Sequence, residues 1–190
     1  KDGIEFPEEF NKIKVVQVKK FDDLQEVYNE IKREKLCEVI FLDSISEIGE
    51  KIISDVKKRA KDPRQAYGEM QEKIGDLLRD FRDLYYNVLM TCKQQRIEDG
   101  DTGRMMYVPW LPGRQLPQQI AYLFDEVYAL RVEEEENEEG EKEKVRYLQT
   151  DRDYKYEAKS RAGVLDEFEE PSLKIILEKM ESGYDALRKK

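Results

Sequence analysis

The sequence predicts an α/β fold with a mostly parallel sheet, flanking helices and an antiparallel hairpin near the C-terminus. In the first half of the chain, short apolar segments alternate with segments of helical periodicity, which is typical of parallel strands joined by helices. In the second half, two alternating segments, EVYALRVE and KVRYLQT, flank an acidic stretch. We expect one domain over residues 1–190, with residues 133–143 as a solvated hairpin tip because like charges repel.

The first half of the chain contains three predicted strands, each followed by helical periodicity or a polar segment. The strands are residues 12–18 (KIKVVQV), 38–43 (EVIFLD) and 86–92 (YNVLMTC), which are rich in β-branched and apolar side chains. Three helices are predicted from apolar residues at spacings of three and four. Their apolar faces are Phe21, Leu24, Val27, Tyr28 and Ile31; Ile45, Ile48, Ile52, Ile53 and Val56; and Tyr67, Met70, Ile74, Leu77, Leu78, Phe81 and Leu84.

The second half begins with turn-forming sequence. Residues 93–104 (KQQRIEDGDTGR) have the glycine and aspartate content of an exposed loop, and residues 108–113 (VPWLPG) predict a turn-rich connection. Residues 115–125 predict a short helix. A final helix should start near Pro171 and Ser172, with an apolar stripe at the following positions. The stripe consists of Leu173, Ile176, Leu177 and Met180.

Composition excludes several classes of function. The chain has no histidine, which rules out Ser-His-Asp and Cys-His catalysis and the usual zinc sites within it. Cys37 and Cys92 are too few for a disulfide framework, and we expect both thiols to be buried. The net charge of −9 argues against a surface that binds nucleic acid everywhere, although a local basic patch would still do so. Without a long apolar run or a signal sequence, we expect a cytoplasmic protein that does not bind membranes.

An apolar strand ending in Asp43 and Ser44 is the first candidate site. Ligands of open α/β sheets bind beyond the carboxyl ends of the strands, where Asp43 should lie. Mg²⁺ prefers oxygen ligands, so this carboxylate suits a magnesium ion held through water, in the manner of a Walker B strand. Asp43 and Ser44 are therefore candidate nucleotide-binding residues, with Asp43 the candidate metal residue. The alternative is that the acid only caps the helix that follows.

Two further groups of polar residues are candidates for catalysis. Thr91 and Gln94 follow the next α/β strand, where a polar residue would sense the γ-phosphate or orient the attacking water; the alternative is an ordinary loop. Lys159 and Arg161 lie two apart, so on an extended segment they point the same way and could stabilise phosphate charge. Together with nearby tyrosines they could equally contact single-stranded nucleic acid, or form an ordinary charged surface.

Taken in order, the segments EVIFLDSISEI, DPRQAYGEMQ, YYNVLMTCK, DTGRMMYVPWLPG and KSRAG resemble phage-encoded RecA-like P-loop ATPases, some of which act in single-strand annealing recombination. The resemblance extends over most of the chain. It implies a RecA-like core that uses ATP and Mg²⁺, with Asp43 as the magnesium-associated acid and Thr91 as the sensor. It also implies that Lys159 and Arg161 form a basic finger, and that the protein assembles as a ring or filament of identical subunits with ATP between them.

The chain departs from this family at the phosphate-binding loop. No GxxxxGK[ST] motif occurs in the 190 residues, so we expect the sequence to be incomplete at its N-terminus, with that loop preceding Lys1. A water-activating glutamate is also missing unless Glu47 replaces it. Two hypotheses follow: an ATPase of phage DNA recombination or replication that acts on single-stranded DNA, or a non-catalytic RecA-like scaffold or DNA-binding assembly module.

Overall fold

The computed structural model describes residues 13–34, 37–59, 62–100, 102–113, 115–137 and 140–188. It divides into two units, Lys1–Cys37 and Glu38–Lys190. The free cysteines Cys37 and Cys92 are both half-buried, so the prediction that both are buried was too strong.

The first unit contains helix α1 (Phe21–Arg33), as the periodicity predicted. Asp23 lies in its first turn and accepts hydrogen bonds from the backbone N–H groups of Lys19 and Lys20 at 3.0 and 3.1 Å. The strand predicted at residues 12–18 is wrong in its described part, because residues 13–18 are not part of any strand in the described chain. Val15 is 80% exposed, which shows that β-branched alternation forms a strand only where a partner strand is present.

The second unit begins with two parallel strands and two helices between them. These are β1 (Val39–Leu42), α2 (Ile45–Arg59), α3 (Pro63–Arg82) and β2 (Asn87–Met90). The register of the parallel pair runs from Val39 opposite Asn87 to Leu42 opposite Met90. The helices contact each other and bury most of the apolar faces that their spacing predicted, although Tyr67 is exposed. The residues buried in this core include Ile52, Val56, Ala66, Met70, Ile74, Leu78 and Phe81.

Polar side chains fix the starts of both helices. The Ser44 hydroxyl accepts a hydrogen bond from the backbone N–H of Glu47 at 3.3 Å, so Ser44 caps α2. At the start of α3, the Asp62 carboxylate accepts from the backbone N–H of Arg64 at 2.8 Å. These bonds satisfy N–H groups that have no partner within their own helix.

Residues 93–104 do not form the predicted loop. Most of them belong to an antiparallel hairpin of β3 (Gln94–Glu98) and β4 (Met105–Pro109), in which Gln94 is opposite Pro109. The turn is closed by Asp99, whose carboxylate accepts from the backbone N–H of Thr102 and whose carbonyl accepts from that of Gly103, both at 2.8 Å. Ile97 is the one apolar residue of β3, so the sequence of this strand has the composition of a loop, and its alternation of exposed and half-buried residues arises from pairing with β4.

The rest of the chain consists of short strands and two helical segments. They are α4 (Gln115–Gln119) with a 3₁₀ turn (Ile120–Leu123), β5 (Glu126–Val127), β6 (Ala129–Glu136), β7 (Lys142–Gln149), β8 (Lys159–Ser160), β9 (Phe168–Glu169) and α5 (Leu173–Arg188). The pairs β5–β8, β6–β7 and β7–β9 are all antiparallel. Within the described residues β1–β2 is therefore the one parallel pair of strands, and the predicted extensive parallel sheet is not seen there.

The acidic hairpin tip and the apolar stripe of the last helix are both smaller than the sequence predicted. Much of the acidic stretch lies in strands, because β6 continues to Glu136, which is opposite Lys142 in β7, and residues 137–141 alone separate them. In α5 the predicted apolar stripe is only partly buried: Ile176 is buried, whereas Leu173 and Leu177 are each 42% exposed. Across the described chain, none of the helices combines the length and apolar composition that crossing a bilayer demands.

Candidate functional site

Asp43 and Thr91 meet at the carboxyl ends of the two parallel strands. The backbone N–H of Thr91 donates to the carbonyl of Leu42, and the carbonyl of Thr91 accepts from the N–H of Ile45, both at 3.0 Å. These bonds continue the β1–β2 ladder by one residue. The Thr91 hydroxyl donates to Oδ1 of Asp43 at 2.5 Å. The structure therefore joins two residues that are 48 positions apart in the sequence and that were both predicted to belong to a site.

Ser44 lies between this pair and α2. Its hydroxyl oxygen caps the helix, and its peptide bond with Asp43 is cis. The side chain of Ser44 is half-buried, whereas Asp43 is exposed. The residue that caps α2 is therefore Ser44, while the Asp43 carboxylate bonds to Thr91 and remains accessible to solvent.

A buried hydroxyl behind the site connects α2 to the segment that follows β2. Ser46 is fully buried, and its hydroxyl donates to the carbonyl of Trp110 at 2.7 Å and accepts from the backbone N–H of Lys93 at 2.9 Å. The Cys92 thiol lies 3.2 Å from the same hydroxyl and donates to the Trp110 carbonyl at 3.1 Å. Burial raises the pKa of this thiol. Sequence reasoning missed Ser46, although a serine on the buried side of an apolar helix was a usable signal.

Lys93 and Gln94 continue from the site into the hairpin. The Lys93 ammonium forms an ion pair with Glu50 at 3.0 Å and lies 5.3 Å from the centre of the Trp110 ring. Gln94 is exposed and starts β3. It therefore lies beyond the strand end at which Thr91 contacts Asp43.

Lys159 and Arg161 are found at a different sheet. Lys159, in β8, donates from its ammonium to the carbonyl of Ala121 at 2.6 Å, and burial together with nearby Arg161 lowers its pKa. Arg161 forms an ion pair with Asp125 at 2.6 Å, and its backbone N–H donates to Glu126 at 3.0 Å. Within the described residues, no hydrogen bond or ion pair connects these two cations to the Asp43–Thr91 pair.

The oxygen atoms at the ends of β1 and β2 suit a hard cation. One carboxylate and two hydroxyls are present there, from Asp43, Ser44 and Thr91, and oxygen is the donor that Mg²⁺ prefers. The described residues contain no group of three or more His, Cys, Asp and Glu side chains that could hold a metal alone. The residues therefore fit a magnesium ion that is also bound by water and by the phosphates of a nucleotide.

Comparison with known proteins matches the chain to a protein family. A family model described as an AAA domain matches residues 8–162, which include the β1 and β2 strand ends and the segment with Lys159 and Arg161. No curated protein and no solved structure matches the chain.

Proposed function

The chain belongs to the AAA domain family of P-loop ATPases, and from this premise we propose that it binds and hydrolyses ATP in phage DNA recombination or replication, acting on single-stranded DNA as a homo-oligomer. The observation that carries the nucleotide part is the hydrogen bond from Thr91 to Asp43 at the strand ends. ATP and Mg²⁺ are the cofactors of this proposal.

Each residue of the strand ends has a separate role in this proposal. Asp43 would hold the magnesium ion, because its carboxylate is exposed and oxygen is the donor that this ion prefers. Thr91 orients that carboxylate through the 2.5 Å hydrogen bond and senses the γ-phosphate. Ser44 completes the oxygen donors beside the nucleotide. The magnesium ion, when bound, would neutralise charge on the phosphates.

Lys159, Arg161 and Gln94 contribute from outside the strand ends. We assign Lys159 and Arg161 to the nucleotide of a neighbouring subunit, which is supported by the 60% exposure of the Arg161 side chain and by the fixed positions that the Ala121 and Asp125 contacts give them. Gln94, exposed at the start of β3, is assigned to positioning the attacking water.

The test of the nucleotide site is Asp43→Asn in the natural full-length protein. Binding of a fluorescent ATP analogue, with Mg²⁺ or with EDTA, and release of phosphate from ATP are measured for the wild type and the variant. We expect the variant to lose the Mg²⁺ dependence of binding and at least about tenfold in hydrolysis. Asp55→Asn is the matched control, because Asp55 is an acid on α2 whose side chain is 43% exposed and whose carboxylate pairs with Lys58.

A non-catalytic scaffold is the second candidate, favoured by the absence of a GxxxxGK[ST] motif in the sequence. Backbone N–H groups and the lysine of that motif provide most of the phosphate binding in P-loop proteins. If Asp43→Asn and the wild type bind DNA and assemble equally well, and neither hydrolyses ATP, the scaffold replaces the ATPase. Assembly is measured by analytical ultracentrifugation with and without ATP and single-stranded DNA.

A further inference from the structure

An open cleft of about 650 Å³ lies beside the β3–β4 hairpin. Five residues line it: Arg96, Arg104, Met105, Tyr154 and Lys155. Three of them are cations and none is an acid, in a chain whose net charge is −9. We call this surface the basic cleft. In an otherwise acidic protein, a polyanion would be attracted to such a local patch and repelled elsewhere.

Backbone hydrogen bonds bring the two halves of the basic cleft together. Arg96 in β3 is opposite Tyr107 in β4. The N–H of Tyr107 donates to the carbonyl of Lys155 at 2.7 Å, and the carbonyl of Tyr107 accepts from the N–H of Glu157 at 2.9 Å. The segment with Tyr154 and Lys155 therefore runs directly along β4, and its side chains share one surface with those of the hairpin.

Side-chain packing holds the segment of Tyr154 and Lys155 in place and gives Tyr154 and Tyr156 different roles. Tyr156 stacks on Tyr107 with ring centres 4.9 Å apart and planes at 14°, and the Arg131 guanidinium lies 4.3 Å from its centre. The Asp153 carboxylate accepts from the backbone N–H groups of Lys155 and Tyr156 at 2.7 and 2.5 Å. Tyr156 is thus used in packing, whereas Tyr154 is 71% exposed with its ring available to a ligand.

The cations of the basic cleft are available as well. Among the described residues, neither Arg96 nor Arg104 forms an ion pair, and the Lys155 ammonium lies 5.5 Å from the Tyr156 ring. Arg152, next to the cleft in sequence, is different because it pairs with Asp99 and Glu157, each at 3.3 Å. The structure therefore neutralises one nearby arginine and leaves two others to bind an anion from solution.

We propose that the basic cleft binds single-stranded nucleic acid. Arg96, Arg104 and Lys155 neutralise backbone phosphates, and Tyr154 stacks on a base beside the apolar surface of Met105. A flat exposed ring favours a single strand over a duplex, because the bases of a duplex are already stacked on one another. This inference rests on the proposed action on single-stranded DNA and adds the surface that carries it out.

The test is the binding of a fluorescently labelled oligothymidylate to the full chain, followed by anisotropy over a series of salt concentrations. Loss of one stacked base should weaken binding at least about fivefold in Tyr154→Ala, while Tyr154→Phe should bind like the wild type. Arg96→Ala/Arg104→Ala should also bind more weakly. For this double variant, the slope of log affinity against log salt concentration should be smaller in magnitude by about 1.4, because each lost phosphate contact on a single strand reduces the slope by about 0.7.

Matched controls separate the cleft from general charge and general aromatic contacts. Tyr85→Ala removes a fully exposed tyrosine outside the cleft, and Arg146→Ala/Lys174→Ala removes two exposed cations outside it. Both should bind like the wild type. A variant that binds more tightly cannot be explained by misfolding. Glu98 is opposite Met105 in the hairpin, so Glu98→Lys places a cation beside the cleft and should tighten binding.

The outcomes distinguish this inference from the proposed function. If the wild type binds the oligonucleotide and the cleft variants bind equally well, or if the control variants lose as much, the cleft is not the site although the action on DNA stands. If the wild type binds no single strand with or without ATP and Mg²⁺, the action on DNA and the cleft both fail, while nucleotide binding is decided by Asp43→Asn. If a DNA duplex binds as tightly as the single strand, base stacking on Tyr154 is overturned. The affinities for oligouridylate and oligothymidylate, measured in parallel, show whether the cleft prefers RNA or DNA.

Discussion

The Thr91 hydroxyl donates a hydrogen bond to the Asp43 carboxylate at 2.5 Å and thereby connects the ends of two parallel strands. The bond continues the backbone ladder between β1 and β2, in which Thr91 also donates to Leu42. Because a hydroxyl of fixed position restricts the rotation of the carboxylate, the acid at the candidate site is held in one orientation before any ligand binds.

Removing this hydroxyl should lower stability in a way that depends on Asp43. Thr91→Val keeps the shape of the side chain and deletes the donor. We expect the free energy of unfolding to fall by about 1 kcal/mol, less than a bond to a charged group usually contributes, because Asp43 is exposed. Urea unfolding of Thr91→Val, Asp43→Ala and the double variant measures the coupling. Strictly additive effects of the two changes would show that the bond contributes nothing to stability.

The buried Ser46 hydroxyl should matter more than its size suggests. Ser46→Ala removes the acceptor of the Lys93 N–H and one of the two donors to the Trp110 carbonyl. A buried N–H without a partner costs about 1–3 kcal/mol, and we expect a loss of that size in urea unfolding. Ser54→Ala is the control on the same helix, because Ser54 is exposed and alanine favours helix. Equal stability of Ser46→Ala and the wild type would contradict the role of this hydroxyl.

Sequence reasoning found the parts of the structure that depend on neighbours along the chain. The helical spacing of Met70, Ile74 and Phe81 correctly identified a buried face, and the two apolar strands predicted from composition are β1 and β2, whose ends bring Asp43 and Thr91 together. Both predictions rest on local periodicity and on the rule that parallel strands end at one edge.

Features that depend on tertiary pairing were not predicted. The alternation of Gln95 and Ile97 with exposed polar residues in β3 has the composition of a loop, and only its pairing with β4 makes it a strand. The opposite error occurred at Val15, where strand-like residues have no partner strand in the described chain. The hydrogen bonds of Ser46 to residues far along the chain likewise follow from folding and not from spacing.

Two helical glycines should respond in opposite directions to the same substitution. A Cβ at Gly49 would lie 2.7 Å from Pro112 and 3.0 Å from Ile74, so Gly49→Ala overpacks the core and should destabilise, typically by about 1–3 kcal/mol less the gain in helix propensity. A Cβ at Gly68 would meet nothing within 4 Å, and Gly68→Ala should stabilise by about 0.5–1 kcal/mol. Thermal unfolding of both variants checks the signs, and a stabilised Gly49→Ala would refute the close packing of α2.

Asp153 should make stability depend on pH in the acid range. Its partial burial would raise the carboxyl pKa, but the N–H groups of Lys155 and Tyr156, with Gln149 and the nearby Arg131, outweigh burial and lower the pKa below 3.8. A lowered pKa in the folded state means that the ionised carboxylate stabilises the fold above pH 3.8, and that this contribution disappears as pH falls through the folded-state pKa.

Asp153→Asn removes the charge while keeping an acceptor oxygen. Urea unfolding at pH 7 and at several values between pH 4 and pH 2.5 should show the wild type more stable at neutral pH, with the difference shrinking in acid. A difference that stays constant over this range would mean that the charge of Asp153 does not stabilise the segment that carries Tyr154 and Lys155.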